Sequence, residues 1–240
     1  MKLSKEEELL MQNGAHKHEK LTLEERLNVV RAGVLGANDG VLTVVGVLFS
    51  VGAATNNSFT LLIAGVSDLL ACALSMASGE YASVSSQSDA EKVVVQKEAY
   101  RIKEQPALVE ADLEQFYVGR GVSDQTATLI AKDLMQKQPL KAILETKYDV
   151  QLGHYVNPWE AALSSMICAA LAGVVPLLAM VLLSRTQGML VAILATTVAS
   201  AIIGWASAKL GQGFVKKSII RNIIIGLLTI TIHYGIGLLF

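Results

Sequence analysis

Charge and aromatic side chains are scarce in this 240-residue chain, at 17% and 5% of residues. An ordinary soluble domain carries about 25% charge. Cysteine is nearly missing, with two residues, and proline is rare, with four. A disulfide-stapled scaffold is therefore excluded, and so are collagen-like and proline-rich disordered chains. A net charge of −1 provides no general attraction for nucleic acid. Few aromatics and long unbroken apolar runs exclude a transmembrane β-barrel, whose strands alternate polar and apolar over about ten residues. What the chain has in excess is apolar surface: 52% hydrophobic residues and a mean hydropathy of +0.46. The composition implies an all-α membrane protein with a modest soluble part.

A spanning helix needs about 20 mostly apolar residues. Five stretches qualify: Val29–Ala54, Thr60–Ser83, Pro158–Leu183, Gly188–Ala208 and Ile219–Phe240. Residues 1–28 are rich in Glu and Lys and read as a tail and helix start rather than a signal peptide, since no apolar core precedes a cleavage site. Within them, Thr22-Leu23-Glu24-Glu25 reads as a capping box that opens the first spanning helix, and His16 and His18 form an isolated H-x-H. Residues 29–84 then hold spans one and two, 85–156 a polar insert, and 157–240 spans three to five. Nineteen of the 20 Lys and Arg residues lie in the tail, the insert or the turn between spans four and five, leaving Arg185 alone on the other side. This asymmetry predicts a cytosolic N-terminus and insert and an external C-terminus. The short tails favour a bacterial plasma membrane over a vacuole.

The insert is too polar to span and too long for a loop. Ser86–Glu104 continues span two without a breaker, Pro106 opens a helix that Gly119–Gly121 closes, Ser123 caps a third, and Pro139 starts a last one ending near Tyr148. Apolar residues at Leu108, Leu113, Phe116, Leu129, Leu134, Leu140 and Leu144 recur at helical spacing. The core they imply is thin, and the insert is expected to lean on a partner copy or on the membrane domain.

Asp39, Asp68 and Glu80 fall within or close to the apolar spans. A carboxylate at the bilayer centre costs roughly 2.5–3.5 kcal/mol, so such residues mark a pathway or a partner. Asp39 lies about nine residues, or roughly 13 Å, from the cytosolic end of span one. Met76 lies about as far up span two, so the two share a level. Asp68, Cys72, Met76 and Glu80 step by four down one face of span two. Carboxylates alone suit Mg²⁺, Ca²⁺ or Mn²⁺, and a thioether shifts the preference toward Fe²⁺. The plainer readings are methionine as apolar filler, an aspartate paired with Arg31, a Glu80 solvated at the interface, and a packing role for His233. Both cysteines read as unpaired small hydrophobes. Gly33, Gly36 and Gly40 form a small-residue face that serves either a dimer seam or packing within the chain.

Several blocks carry a family resemblance: Val34-Leu-Gly-Ala-Asn-Asp-Gly40, Ala73-Leu-Ser-Met-Ala-Ser-Gly-Glu-Tyr81, Ser83-Val-Ser-Ser-Gln-Ser-Asp89, Asn157-Pro-Trp-Glu-Ala-Ala162 and Thr231-Ile-His-Tyr-Gly-Ile-Gly237. With them the chain resembles the vacuolar iron transporter family from about residue 26 to 240. The resemblance implies a homodimer of five-span protomers that exports Fe²⁺, and often Mn²⁺, from the cytosol in exchange for protons. It implies Asp39 and Met76 as mid-membrane metal ligands, Asp68 further along the path, and Glu80 receiving ions on the cytosolic side. No resident cofactor follows, beyond a regulatory metal in the insert. There the sequence departs from the family: Glu98 remains and Asp112 replaces a glutamate, but Arg101 and Val109 stand where further acids align. Lys147, Tyr148 and Gln151 occupy the places of a Met-Met pair and a Glu. A shift of a residue or two would bring in Glu104, Glu110, Glu114, Met135 or Glu145 instead. The rival readings are a transporter of the same fold for another ion, Mn²⁺ first, and a non-transporting scaffold or metal sensor. A hydrolase fits least, because no Ser or Cys nucleophile has a recognisable His partner.

Overall fold

A computed structural model describes residue 3, Lys5–Asn13 and residues 23–239. The described residues form nine α-helices and no strand: α1 (Lys5–Asn13), α2 (Leu23–Ala54), α3 (Ser58–Glu104), α4 (Pro106–Gly119), α5 (Asp124–Lys137), α6 (Pro139–Lys147), α7 (Pro158–Leu182), α8 (Arg185–Leu210) and α9 (Val215–Gly237). Of these, α2, α3, α7, α8 and α9 are long and apolar enough to cross a membrane, which makes this an all-α, multi-pass membrane protein. Residues 1–25 with 85–157 make one compact unit, and residues 26–84 with 158–240 make the other. Thr22, His16 and His18 lie outside the described residues.

In the membrane unit, local chemistry sets the helix ends. Asn57 caps α3, its Oδ1 accepting from the Phe59 and Thr60 amides at 2.9 and 3.2 Å. Arg185 donates to the Gly52 carbonyl at 2.8 Å, satisfying an acceptor in the last turn of α2. Apolar packing gathers Val44, Val45, Leu48, Phe49, Leu61, Leu177, Met180 and Ile230 into one core.

The glycine face of α2 settles against α7. A Cβ on Gly36 would collide with the Ser165 carbonyl, and one on Gly40 with the Ala169 carbonyl. On the facing helix, a Cβ on Gly173 would lie 2.8 Å from the Gly40 carbonyl oxygen and 2.6 Å from Leu69 Cδ1. The two backbones therefore touch, and α3 wedges Leu69 into the same notch. Of the two uses open to this stripe, packing within the chain is the one it performs.

The insert unit has a core of Ile102, Val109, Leu113, Met135, Leu140, Ile143 and Leu144, none more than 2% exposed. Ser123 caps α5 as expected, accepting from the Thr126 amide. Leu108 and Leu129, expected among the apolar face, are exposed, while Val109 and Met135 take the buried positions. The N-terminal segment completes this core. Leu3 is buried, Leu10 and Met11 pack on it, and Glu7 Oε1 accepts from the Leu140 and Lys141 amides at 2.8 and 3.0 Å. Gln138 offers α6 no side-chain cap, so Glu7 supplies from a distance the acceptor that a helix N-terminus lacks.

Because the obstruction at Gly40 is backbone, Gly40→Ala should destabilise by about 1–3 kcal/mol, the usual cost of overpacking. Gly235→Ala, which meets nothing within 4 Å, should be neutral or slightly stabilising. Thermal unfolding of the two variants in detergent checks the contrast.

Candidate functional site

Three contacts pin the antiparallel register of α2 and α3. Toward one end, a Cβ on Gly65 would sit 2.8 Å from Leu48 Cδ2. In the middle, Thr43 lies beside the side chains of Asp68 and Cys72, and its hydroxyl donates to the Asp39 carbonyl at 2.9 Å. Toward the other end, Arg31 Nη2 is 3.4 Å from Glu80 Oε2. A ladder pinned in this way carries Asp39 to the level of the Cys72–Met76 turn, and Cys72 is within electrostatic reach of both Asp39 and Asp68. Asp39, Asp68 and Met76 are half-buried. One carboxylate oxygen of Asp68, Oδ2, is buried without a hydrogen-bond partner.

Glu80 differs from the expectation of a solvated interfacial acid. It is 7% exposed, and the more exposed Arg31 lies over it. The Arg31 pairing that sequence reasoning offered to an aspartate therefore goes to Glu80. A carboxylate this buried requires a cation beside it, and the α2–α3 register delivers one. His233 donates through Nδ1–H to the Thr229 carbonyl at 2.8 Å. Its ring fills the notch left by Gly46, where a Cβ would stand 2.9 Å from Nε2. Among the described residues of one chain, no three His, Cys, Asp or Glu side chains converge closely enough to hold a metal ion.

The insert carries a different arrangement. Glu98, 0% exposed, receives Arg101 Nη1 on Oε2 at 2.7 Å and the Tyr148 hydroxyl on Oε1 at 2.7 Å. Arg101 reaches on with Nη2 to Asp112 Oδ2 at 3.0 Å, and Lys147 Nζ meets the same oxygen at 2.7 Å. The network joins α3 (Glu98, Arg101), α4 (Asp112) and the end of α6 (Lys147, with Tyr148 following). Sequence reasoning named both acids, and named Arg101, Lys147 and Tyr148 only as replacements for metal ligands, not as the partners that hold those acids. The Arg101 partner was legible at i, i+3 from Glu98, whereas Lys147 and Tyr148 reach the site only through the fold.

The network shifts two titrations in opposite directions. The hydrogen bond from Lys147, and then Arg101, hold the Asp112 carboxyl below the usual carboxylate range. Burial first, and then the Glu98 carboxylate, push the Tyr148 phenol up to about 12. A depressed acid stabilises the fold above its unfolded value, about 3.9, and that contribution is lost as pH falls through the folded value. A raised phenol does the converse, stabilising below about 10 and losing its contribution as pH climbs toward 12. In a tyrosinate absorbance titration, Tyr148 should ionise late, and Tyr148→Phe should remove that late step. The stability gap between wild type and Asp112→Asn should close as the pH of thermal unfolding is lowered below about 4.

Comparison with known proteins places the chain among relatives. The family model described as "VIT family" matches residues 30–238. A protein named vacuolar iron transporter from Acanthamoeba castellanii is 38% identical over 149 residues, 62% of this chain and 54% of its own length, so the chain spans about half of that relative. Vacuolar iron transporter homolog 2.1 from Arabidopsis thaliana is 27% identical over 91% of this chain and 84% of its own length. Vacuolar iron transporter homolog 5 from Oryza sativa subsp. japonica is 28% identical over 95% and 88%. With a match running through all five long apolar helices, this chain belongs to the VIT family.

Proposed function

We propose that the chain is a proton-coupled transporter that moves Fe²⁺, Mn²⁺ or both out of the cytosol, with Asp39 and Met76 as its mid-membrane ligands. What supports this reading is the α2–α3 register, which sets the Asp39 carboxylate against the Cys72–Met76 turn of the neighbouring apolar helix, with a second acid, Asp68, holding an unpartnered oxygen. Oxygen with sulfur suits a borderline first-row ion better than Mg²⁺ or Ca²⁺. The names of the relatives, vacuolar iron transporters, support the same substrate class.

A single chain supplies too few donors to replace an ion's water shell. In a homodimer with these helices at its axis, each protomer would add one Asp39 and one Met76, giving two carboxylates and two thioethers. Glu80, with Arg31 beside it, would receive ions on the cytosolic side, and Asp68 would accept them further along. A carboxylate that binds either a metal ion or a proton, but not both together, is the element that antiport needs. The cytosolic N-terminus rests on the Lys and Arg bias.

A second reading, Mn²⁺ before Fe²⁺, draws on the insert, whose acids are already engaged by Arg101, Lys147 and Tyr148. Competition among Fe²⁺, Mn²⁺, Co²⁺ and Zn²⁺ in one flux assay separates the two.

In proteoliposomes, Asp39→Ala should reduce metal uptake to that of protein-free vesicles, with folding checked by thermal unfolding. An acidic lumen should drive metal accumulation there in wild type. Unchanged flux in the variant would contradict the ligand role, indifference to the pH gradient would contradict antiport, and no flux in wild type would favour a scaffold or sensor.

A further inference from the structure

We propose that the carboxylate cluster of the insert is closed by the protein's own cations, with Arg101 and Lys147 doing there the work of a bound divalent ion. Three of the four carboxylate oxygens of Glu98 and Asp112 are engaged. Glu98 Oε1 takes the Tyr148 hydroxyl, Glu98 Oε2 takes Arg101 Nη1, and Asp112 Oδ2 takes both Arg101 Nη2 and Lys147 Nζ. Two negative charges face two positive ones, so the cluster is neutral before any metal arrives. A divalent ion added to it would meet two fixed cations next to its only acidic ligands.

Geometry excludes the ion as firmly as charge does. Glu98 is 0% exposed and Arg101 is 21% exposed, so an entering ion would have to expel the guanidinium and leave it largely buried beside a metal. Uncompensated buried charge is among the most costly arrangements in a protein interior. The planar guanidinium also does what a metal would do mechanically. Its two terminal nitrogens bridge carboxylates on α3 and α4 with the directional fork that lysine lacks. Lys147 adds the end of α6 to the same oxygen. Among the described residues no third His, Cys, Asp or Glu side chain joins these two closely enough to hold a metal ion, and Val109 is buried in the apolar core. The insert is thus clasped shut by side chains, and its shape is independent of how much metal the surrounding solution holds. This inference concerns binding in the insert alone and stands whether or not the membrane unit transports metal.

The test uses the whole protein in detergent, with 3-fluorotyrosine replacing its six tyrosines and the Tyr148 fluorine signal assigned through Tyr148→Phe. A paramagnetic Mn²⁺ ion on Glu98 would erase that signal, because the phenol oxygen lies 2.7 Å from the carboxylate. With Mn²⁺ in modest excess over protomers, the Tyr148 signal of wild type should keep its width. Selective loss of it at the first additions would overturn the proposal. Replacing Arg101→Gln together with Lys147→Gln removes both cations, leaves Glu98 only the Tyr148 hydroxyl, and should make the same signal sensitive to Mn²⁺. If the double variant retains its unfolding transition and its Tyr148 signal stays indifferent to Mn²⁺, the cations are not what keeps metal out, and the proposal fails. If the double variant does not fold, the wild-type titration decides alone.

Discussion

The membrane unit depends on one contact, the backbone of α2 lying directly on the backbone of α7 at Gly36, Gly40 and Gly173. In a bilayer the lipid is as apolar as any leucine, so helices associate through close packing rather than through burial from water. Glycine permits the closest approach, and here a single methyl at Gly40 would strike a carbonyl. Committing that face of α2 to α7 also fixes the azimuth of its neighbours. Asp39 precedes Gly40 by one residue, about 100° around the helix, so it is turned to the flank of the seam. Leu69 enters the same notch at Gly173, which turns the adjacent Asp68 aside in the same way. Both acids are aimed by the packed residue next to them in sequence.

The carboxylates divide by what surrounds them. Glu80 has Arg31, Glu98 has Arg101 and Tyr148, and Asp112 has Arg101 and Lys147. Each is a buried or half-buried acid neutralised by a cation that the fold brings to it, the condition under which such charges are tolerated. Among the described residues, Asp39 and Asp68 form no ion pair, and Asp68 keeps an oxygen with no donor. An acid left uncompensated in an apolar helix is where a passing cation or proton gains most. The same logic that marks the membrane acids as available marks the insert acids as taken.

Much of this was legible in the sequence, and the rest failed for specific reasons. Apolar runs located all five long helices, although α2 and α3 run past them into polar sequence, and Pro106, Ser123 and Pro139 marked the insert helices because turn and cap chemistry is local. Equating depth on two antiparallel helices put Asp39 and Met76 at one level, and the register that Thr43 and Arg31 fix sets Asp39 against the Cys72–Met76 turn. The glycine stripe was visible, but its partner was not sought. Ser165, Ala169 and Gly173 form a matching small-residue row on α7 at steps of four, and reading both rows together points to packing within the chain. The N-terminal helix also left a signal, with Glu7, Leu10 and Met11 at helical spacing. Its capping of α6 from 133 residues away is tertiary and leaves none. A search for metal ligands reads Arg101 and Lys147 as ligands lost, which is why their pairing with Glu98 and Asp112 was not expected.

The central claim is that metal is handled by the membrane ligands and not by the insert. The most direct test compares Mn²⁺ flux through two pairs of near-isosteric variants in the same proteoliposome preparation. Asp39→Asn and Met76→Leu should each lose most of the flux, while Glu98→Gln and Asp112→Asn, matched for folded protein, should each keep it. Flux that survives in the first pair and collapses in the second would contradict the account.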